Sequence, residues 1–439
     1  IISAVLFSWR LFASLLVILL LVYLLTRWHS MTKYLGKIFA GMQVLILVVD
    51  MVFLLDFFII IKKNPDPLKP ETVSLPSKIP PREQLPDIYY IILDGYGRGD
   101  MLKELHGFDN SQFLLQLQER GFFIPAQSQS NYPRTLLSLA SSLNMKYLDS
   151  TSDVLGEAEN WWLLEPYLKN SAVRSIVEQA GYTTVFLASG WDYTDIRDGD
   201  YYFSPYPIFL NDFEESLILR TNLEPITHIT SRIISFPSYE THRRTILYQF
   251  EQLVETSQLK SPRFVFAHIL SPHPPFVFSA SGEPTDPAYG YTLMDTKKLF
   301  GDIPQYQESY INQVKYINQL VIEMVDGILS NALTPPVIIL QGDHGSSIFF
   351  DYDDPGYSCL YERYSILNAY YFPSPVLENI PSNISPVNTF RLVFNQYLGQ
   401  DYSLLPEKRL FSFAPAIYQY QDVTSLSEQT CEIHENKGP

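Results

Sequence analysis

Cysteine is almost missing from this chain: its 439 residues include two, Cys359 and Cys431. Two thiols build neither a disulfide framework nor a cysteine metal site, and they leave the redox compartment open. Basic charge is short as well, with 31 Lys and Arg against 47 Asp and Glu and a formal net charge of −16. Nucleic acids and anionic lipid surfaces both need a positive footprint, so no nucleic-acid partner is expected. What the chain has in quantity is proline, tyrosine and phenylalanine, at 31, 30 and 28 residues, the composition of an aromatic, loop-rich globular protein. Its length suits a membrane anchor followed by one large or two medium domains.

Two long apolar runs open the chain. Residues 11–26 are almost wholly apolar and are bracketed by Trp9-Arg10 and Arg27-Trp28, the interfacial belt of a bilayer span. Residues 38–61 form a second run that carries Asp50 and Asp56. Acids at that depth face other helices or water, and the first residue is Ile, so further membrane helices are expected upstream. Residues 1–62 are therefore assigned as a transmembrane anchor of two helices contacting the lipid bilayer. Arg27, Lys33 and Lys37 between the runs outnumber Lys62 and Lys63 after them. The positive-inside rule then puts the loop in the cytoplasm and the rest on the extracytoplasmic side of the cell membrane. Residues 63–86 hold seven prolines among polar residues and read as a stiff linker. A domain follows over 87–420, and 421–439 reads as a polar, frayed tail.

Within 87–420, apolar strands alternate with helical patterns, which predicts an α/β fold with a mostly parallel central sheet flanked by helices. Strands are expected at 88–93, 183–188, 264–270, 337–341 and 367–372, and helices at 111–120, 135–143, 171–180, 310–329 and 386–398. In such sheets ligands bind outside the carboxyl ends of the strands. The run Val337-Ile338-Ile339-Leu340-Gln341 ends in Gly342-Asp343-His344-Gly345, which makes Asp343 and His344 the first candidate metal ligands. Asp94 stands at the corresponding end of the first strand, as a metal ligand, a catalytic acid or an ordinary Asp-Gly turn. Thr135 opens a helix, where a hydroxyl serves as N-cap or presents a nucleophile to the positive helix end. His273, between Pro272 and Pro274, has a rigid mount suited to meeting a substrate. His268 lies inside a strand, as a core or near-site residue, and Trp191 is either a substrate wall or part of a packed loop.

Taken in order, Ile91-Ile92-Leu93-Asp94-Gly95, residues 131–138, His273-Pro274-Pro275-Phe276 and Asp343-His344-Gly345 resemble the alkaline phosphatase superfamily. The likeness is strongest to its sulfatase-like membrane branch, which includes lipoteichoic acid synthases and lipid A phosphoethanolamine transferases. The resemblance implies one divalent metal ion, Mn, Mg or Zn, held by Asp94, Thr135, Asp343 and His344. It also implies Thr135 as nucleophile, with His273 acting on the transferred group; His273, His268 and Trp191 are the substrate-binding candidates that their positions suggest. Four departures matter. The phosphoethanolamine transferases are commonly disulfide-braced, which two cysteines are not expected to reproduce. Sulfatases proper oxidise a Cys or Ser in a Cys/Ser-x-Pro-x-Arg context, whereas Thr135 is followed by Leu136-Leu137. After His344 the only histidine is His434, so a second metal is not expected. Asp94 replaces the Glu of both named transferase groups. The expected function is a membrane-anchored, metal-dependent phospho-group transferase or hydrolase acting on an envelope lipid or glycan. The alternatives are a sulfatase, a phosphodiesterase for soluble substrates, or an inactive envelope scaffold.

Overall fold

The computed structural model describes residues 79–429 except 157, 207, 210–233, 236–237, 288–289, 296–302 and 374–379, together with 431, 19–20, 23, 40–52 and 55. The chain divides into two units, Ile1–Pro65 and Asp66–Pro439. In the first, residues 40–52 are helical. The span expected at 11–26 falls largely outside the described residues, and of that expected at 38–61 only 40–52 and 55 are described. Among those described, no helix is long and apolar enough to cross a membrane.

The second unit is built on a six-stranded sheet in the order β3-β2-β6-β1-β7-β8. Its strands are β1 (Ile88–Leu93), β2 (Thr183–Leu187), β3 (Tyr201–Phe203), β6 (Arg263–Ile269), β7 (Val337–Gly342) and β8 (Asn368–Tyr371). A separate two-residue parallel pair comprises β4 (Ile208–Phe209) and β5 (Ile234–Ser235). Every neighbour in the main sheet runs parallel except the β7–β8 pair. The helices are α1 (Gly99–His106), α2 (Ser111–Glu119), α3 (Thr135–Asn144), α4 (Thr151–Leu155), α5 (Glu165–Lys169), α6 (Ala172–Gln179), α7 (Tyr239–Glu255), α8 (Ile303–Asn331), α9 (Leu360–Tyr364) and α10 (Pro386–Tyr397).

The central strands are apolar at nearly every position because both faces of the sheet are covered. Successive side chains of β1 point to opposite faces. Ile88, Tyr90 and Ile92 join the core formed with Leu136 and Leu139 of α3, Ile176 of α6 and Phe390 of α10. Tyr89, Ile91 and Leu93 join the other core, with Ile246 and Phe250 of α7 and Val314 and Val321 of α8. Leu93 lies opposite Ile269 on one side and Gly342 on the other. This register makes Asp94, Leu270 and Asp343 leave the sheet at one level. At the opposite end, the Asp87 carboxylate takes the Arg263 guanidinium at 2.6 Å and the Arg263 N–H at 3.0 Å.

Three expectations change. The last residues of the proline-rich linker are not free, because Arg82–Gln84 forms a 3-10 turn and Leu85 is buried. The tail does not fray at 421: β10 (Tyr420–Asp422) pairs antiparallel with β9 (Leu410–Ser412), and the Gln129 amide donates to Ser427 O at 2.7 Å. Cys359 and Cys431 are joined in a disulfide across 72 residues, so two thiols suffice for one bridge. Helix α7 had no expectation, because its buried side includes His242, Arg243, Thr245 and Gln249, polar residues that break the apolar period.

Candidate active site

Asp94 follows β1 directly, and its N–H continues the sheet by donating to Ile269 O at 2.9 Å. The next residue, Gly95, has φ +73°, a left-handed turn that glycine adopts without strain. That turn aims the Gly95 N–H at Asp343 Oδ1, 3.0 Å away. On the other side His268 Nε2 lies 3.1 Å from Asp94 Oδ2, and its Nδ1 lies 2.9 Å from Thr194 Oγ1. Each carboxylate thus has one oxygen tied inside the protein. The other two, Asp94 Oδ1 and Asp343 Oδ2, are buried and without a hydrogen-bond partner.

Both open oxygens face His344 Nε2, at 3.6 Å and 3.3 Å. His344 Nδ1 lies 3.0 Å from Gly345 O, which assigns the ring proton to Nδ1 and leaves a lone pair on Nε2. Burial, and then the Arg363 guanidinium, hold this imidazole well below its ordinary pKa, so it is neutral. The Thr135 hydroxyl reaches the same nitrogen at 3.0 Å. Ligand atoms of Asp94, Asp343 and His344 all lie within 4.8 Å of one another.

The electrostatics of this cluster need a cation. Burial alone would push the Asp94 carboxyl up, but His273 and the hydrogen bond to His268 outweigh it and hold the group below the ordinary carboxylate range. Burial, and then the neighbouring Asp94, push Asp343 up to about 6. Two enclosed carboxylates with open oxygens on a shared point, beside a neutral imidazole and a hydroxyl, are a donor set suited to Zn²⁺, Mn²⁺ or Mg²⁺. The orphaned oxygens are the structural evidence that such an ion fits.

Thr135 is the first residue of α3 and does not act as its cap. Arg134 occupies the N-cap position with no side-chain capping bond, which leaves the Thr135 hydroxyl free for His344. His273 sits above the pair, its ring 6.3 Å from that of His344, and its N–H donates to Asp94 O at 2.8 Å. His268 is fully enclosed with both ring nitrogens engaged, so it orients Asp94 and does not meet a substrate directly. Trp191 is half-buried, 6.2 Å from the His268 ring and edge-on to Tyr193.

Several residues of the site carry no signal of their own in the sequence. The Tyr310 hydroxyl donates to Gly95 O at 2.8 Å and accepts from Gly97 N, bracing the Asp94 turn. Glu362 accepts from Ser346 Oγ at 2.6 Å and from the N–H groups of Ile348 and Phe349, seating the loop after His344. Burial pushes that carboxyl up to about 7. Behind it, the enclosed side chain of His106 lies 3.0 Å from Ser346 Oγ.

The Sulfatase family model matches residues 86–366. No curated protein sequence matches the chain. Among solved structures, the C-terminal periplasmic domain of EcEptC from Escherichia coli is 13% identical with a TM-score of 0.45, over 78% of this chain and 94% of that one. The soluble domain of lipooligosaccharide phosphoethanolamine transferase A from Neisseria meningitidis is 15% identical with a TM-score of 0.46, over 75% and 93%. BT1596, a 2-O GAG sulfatase, is 13% identical with a TM-score of 0.46, over 79% and 76%. With a family match across more than half of its residues, the chain belongs to the sulfatase family.

Proposed function

We propose that the protein is a membrane-anchored, metal-dependent transferase or hydrolase that moves a phospho-substituent of an envelope lipid or glycan through Thr135. The observation that carries this reading is the convergence of Thr135 Oγ1 on His344 Nε2 beside the two open oxygens of Asp94 and Asp343. Those four atoms would hold one divalent ion. When bound, it lowers the pKa of the hydroxyl and offsets negative charge on the phosphoryl oxygens.

The protein's own groups do the rest. Thr135 opens a ten-residue helix, so the incoming phosphoryl group meets the positive end of α3. As the Oγ–phosphorus bond forms, the hydroxyl proton leaves to solvent and the bond to the departing oxygen breaks. His273, on its proline-flanked turn, supplies that oxygen with a proton. Water or an acceptor hydroxyl then attacks phosphorus and gives its proton to His273, while the Thr135–phosphorus bond breaks and the freed oxygen takes a proton from solvent. Phosphorus is favoured over sulfur because a threonine cannot be converted to formylglycine. The two apolar runs and the proline-rich stretch favour a donor at the extracytoplasmic face of a membrane.

Intact-mass measurement after incubation with phosphatidylglycerol or phosphatidylethanolamine vesicles tests the assignment. An adduct on Thr135 identifies the transferred portion, and Thr135→Ala abolishes both adduct and turnover while the fold remains. Full activity in Thr135→Ala removes the nucleophile.

A further inference from the structure

Thr135 and the Asp343-His344 pair come from segments about two hundred residues apart, and sheet pairing sets the place of only one of them. β7 delivers Asp343 and His344 in register with β1. α3 lies outside the sheet and packs on it through Leu136 and Leu139. Apolar contacts of that kind tolerate small shifts, whereas a ligand set has to be held to within about 0.5 Å.

One side chain spans the interval. Arg363, 2% exposed, donates from Nε to Pro133 O at 2.7 Å and from Nη1 to Gly345 O at 2.9 Å. Pro133 is two residues before Thr135, and Gly345 is next to His344. The remaining arm, Nη2, donates to the Tyr352 hydroxyl at 2.8 Å, and Asp295 supplies the counter-charge at 3.4 Å. The backbone repeats the connection: Gly345 N donates to Arg363 O at 2.7 Å, and Ser130 N donates to Tyr364 O at 2.7 Å. Glu362, one residue earlier in α9, holds Ser346, Ile348 and Phe349. The five-residue helix α9 is thus a template against which the nucleophile's loop and the ligand loop are both seated.

We propose that Arg363 is a positioning residue whose planar guanidinium sets the reach between Thr135 and the Asp94–Asp343–His344 cluster. The inference rests on the metal-centre reading above. A guanidinium suits the task because its donors keep fixed mutual angles, so one plane defines both carbonyl positions. A lysine ammonium keeps the charge but is a point donor on a flexible stem.

The test is a double-mutant cycle read in Mn²⁺ affinity by titration calorimetry on the full chain in detergent, with the melting temperature of each variant recorded. In the wild type, Thr135→Ala weakens Mn²⁺ binding by about tenfold, the scale of losing one supporting group of a metal site. In Arg363→Lys the same Thr135→Ala change costs less than about twofold, because the hydroxyl is no longer held within reach. A role confined to folding lowers the melting temperature and leaves the Thr135→Ala penalty at full size, which overturns the proposal. If Arg363→Lys does not fold, Arg363→Gln enters the same cycle with the same criteria. Two further results separate this inference from its foundation. If Asp343→Asn weakens binding but Thr135→Ala does not, the hydroxyl is no ligand and the positioning role falls while the cluster stands. If Asp343→Asn leaves Mn²⁺ binding unchanged, the centre is wrong and the inference fails with it.

Discussion

Asp343→Asn places the two demands on the candidate centre in opposition. In the metal-free protein, the Asp343 carboxyl is pushed from its ordinary 3.8 up to about 6 by burial and by Asp94. At about 1.4 kcal/mol per pKa unit, its ionised form costs roughly 3 kcal/mol at neutral pH. An asparagine keeps an acceptor for the Gly95 N–H and can turn its amide toward Asp94 Oδ1, which otherwise has no partner. The variant is therefore expected to be more stable than the wild type in chelator, by up to about 3 kcal/mol. For a unit of this size that is a rise of roughly 3–5 °C in melting temperature. Metal closes the difference. Mn²⁺ at about 100 times its Kd adds about 2.7 kcal/mol to the wild type and almost nothing to a variant that has lost one ligand. Thermal melts of both proteins in chelator and in Mn²⁺ give all four values. A variant that melts below the wild type in chelator, or that gains as much from Mn²⁺, refutes the cation site.

Glu362→Gln tests the buried acid behind the ligand loop. Its folded pKa of about 7 is raised above the unfolded value of 4.5. The stability it contributes is complete below 4.5 and falls as pH rises through 7, by roughly 3 kcal/mol. Denaturant melts between pH 4 and 8 in chelator should show a decline larger by this amount in the wild type than in the variant, in which the Asp343 contribution remains; equal slopes would exclude it. Gly345→Ala places a Cβ 2.0 Å from Glu362 O, so the loop has to shift. A cost of about 1–3 kcal/mol in stability is expected, with weakened Mn²⁺ binding, and unchanged calorimetry would contradict the packing. Asp87→Asn at the far end of the sheet strips the buried Arg263 of its counter-charge and is expected to cost about 3–5 kcal/mol in urea melts. Mn²⁺ affinity should not change, and a loss would show that the two ends are not independent.

The parts of the site that sequence patterning exposes are those at strand ends. β1 and β7 are unbroken buried runs closed by Asp94-Gly95 and by Asp343-His344-Gly345, and local turn chemistry suffices to mark both. Thr135 was legible as a helix start, but its side-chain duty was not, because the choice between capping and facing His344 depends on a loop two hundred residues away. Arg363 and Glu362 sit in a five-residue helix too short to show a period, and their partners are mostly backbone atoms that no pattern reveals. Thr194 and Tyr310 are ordinary loop and helix residues until the fold brings them to His268 and Gly95. His268 reads in sequence as a near-site histidine; only the structure shows both nitrogens occupied.

The place of β1 in the sheet has a consequence for how the protein is made. It is the first strand of the domain to be synthesised, yet its two neighbours are β6 and β7, the more distant about 250 residues later. At ribosomal rates of roughly 5–20 residues per second, both of its edges wait about 10–50 s for partners. A nascent polypeptide in that interval carries an apolar segment with open hydrogen-bonding edges, the form most prone to pairing with a neighbour. Its biogenesis therefore calls for a holding factor, or for delayed collapse, until residue 342 has emerged.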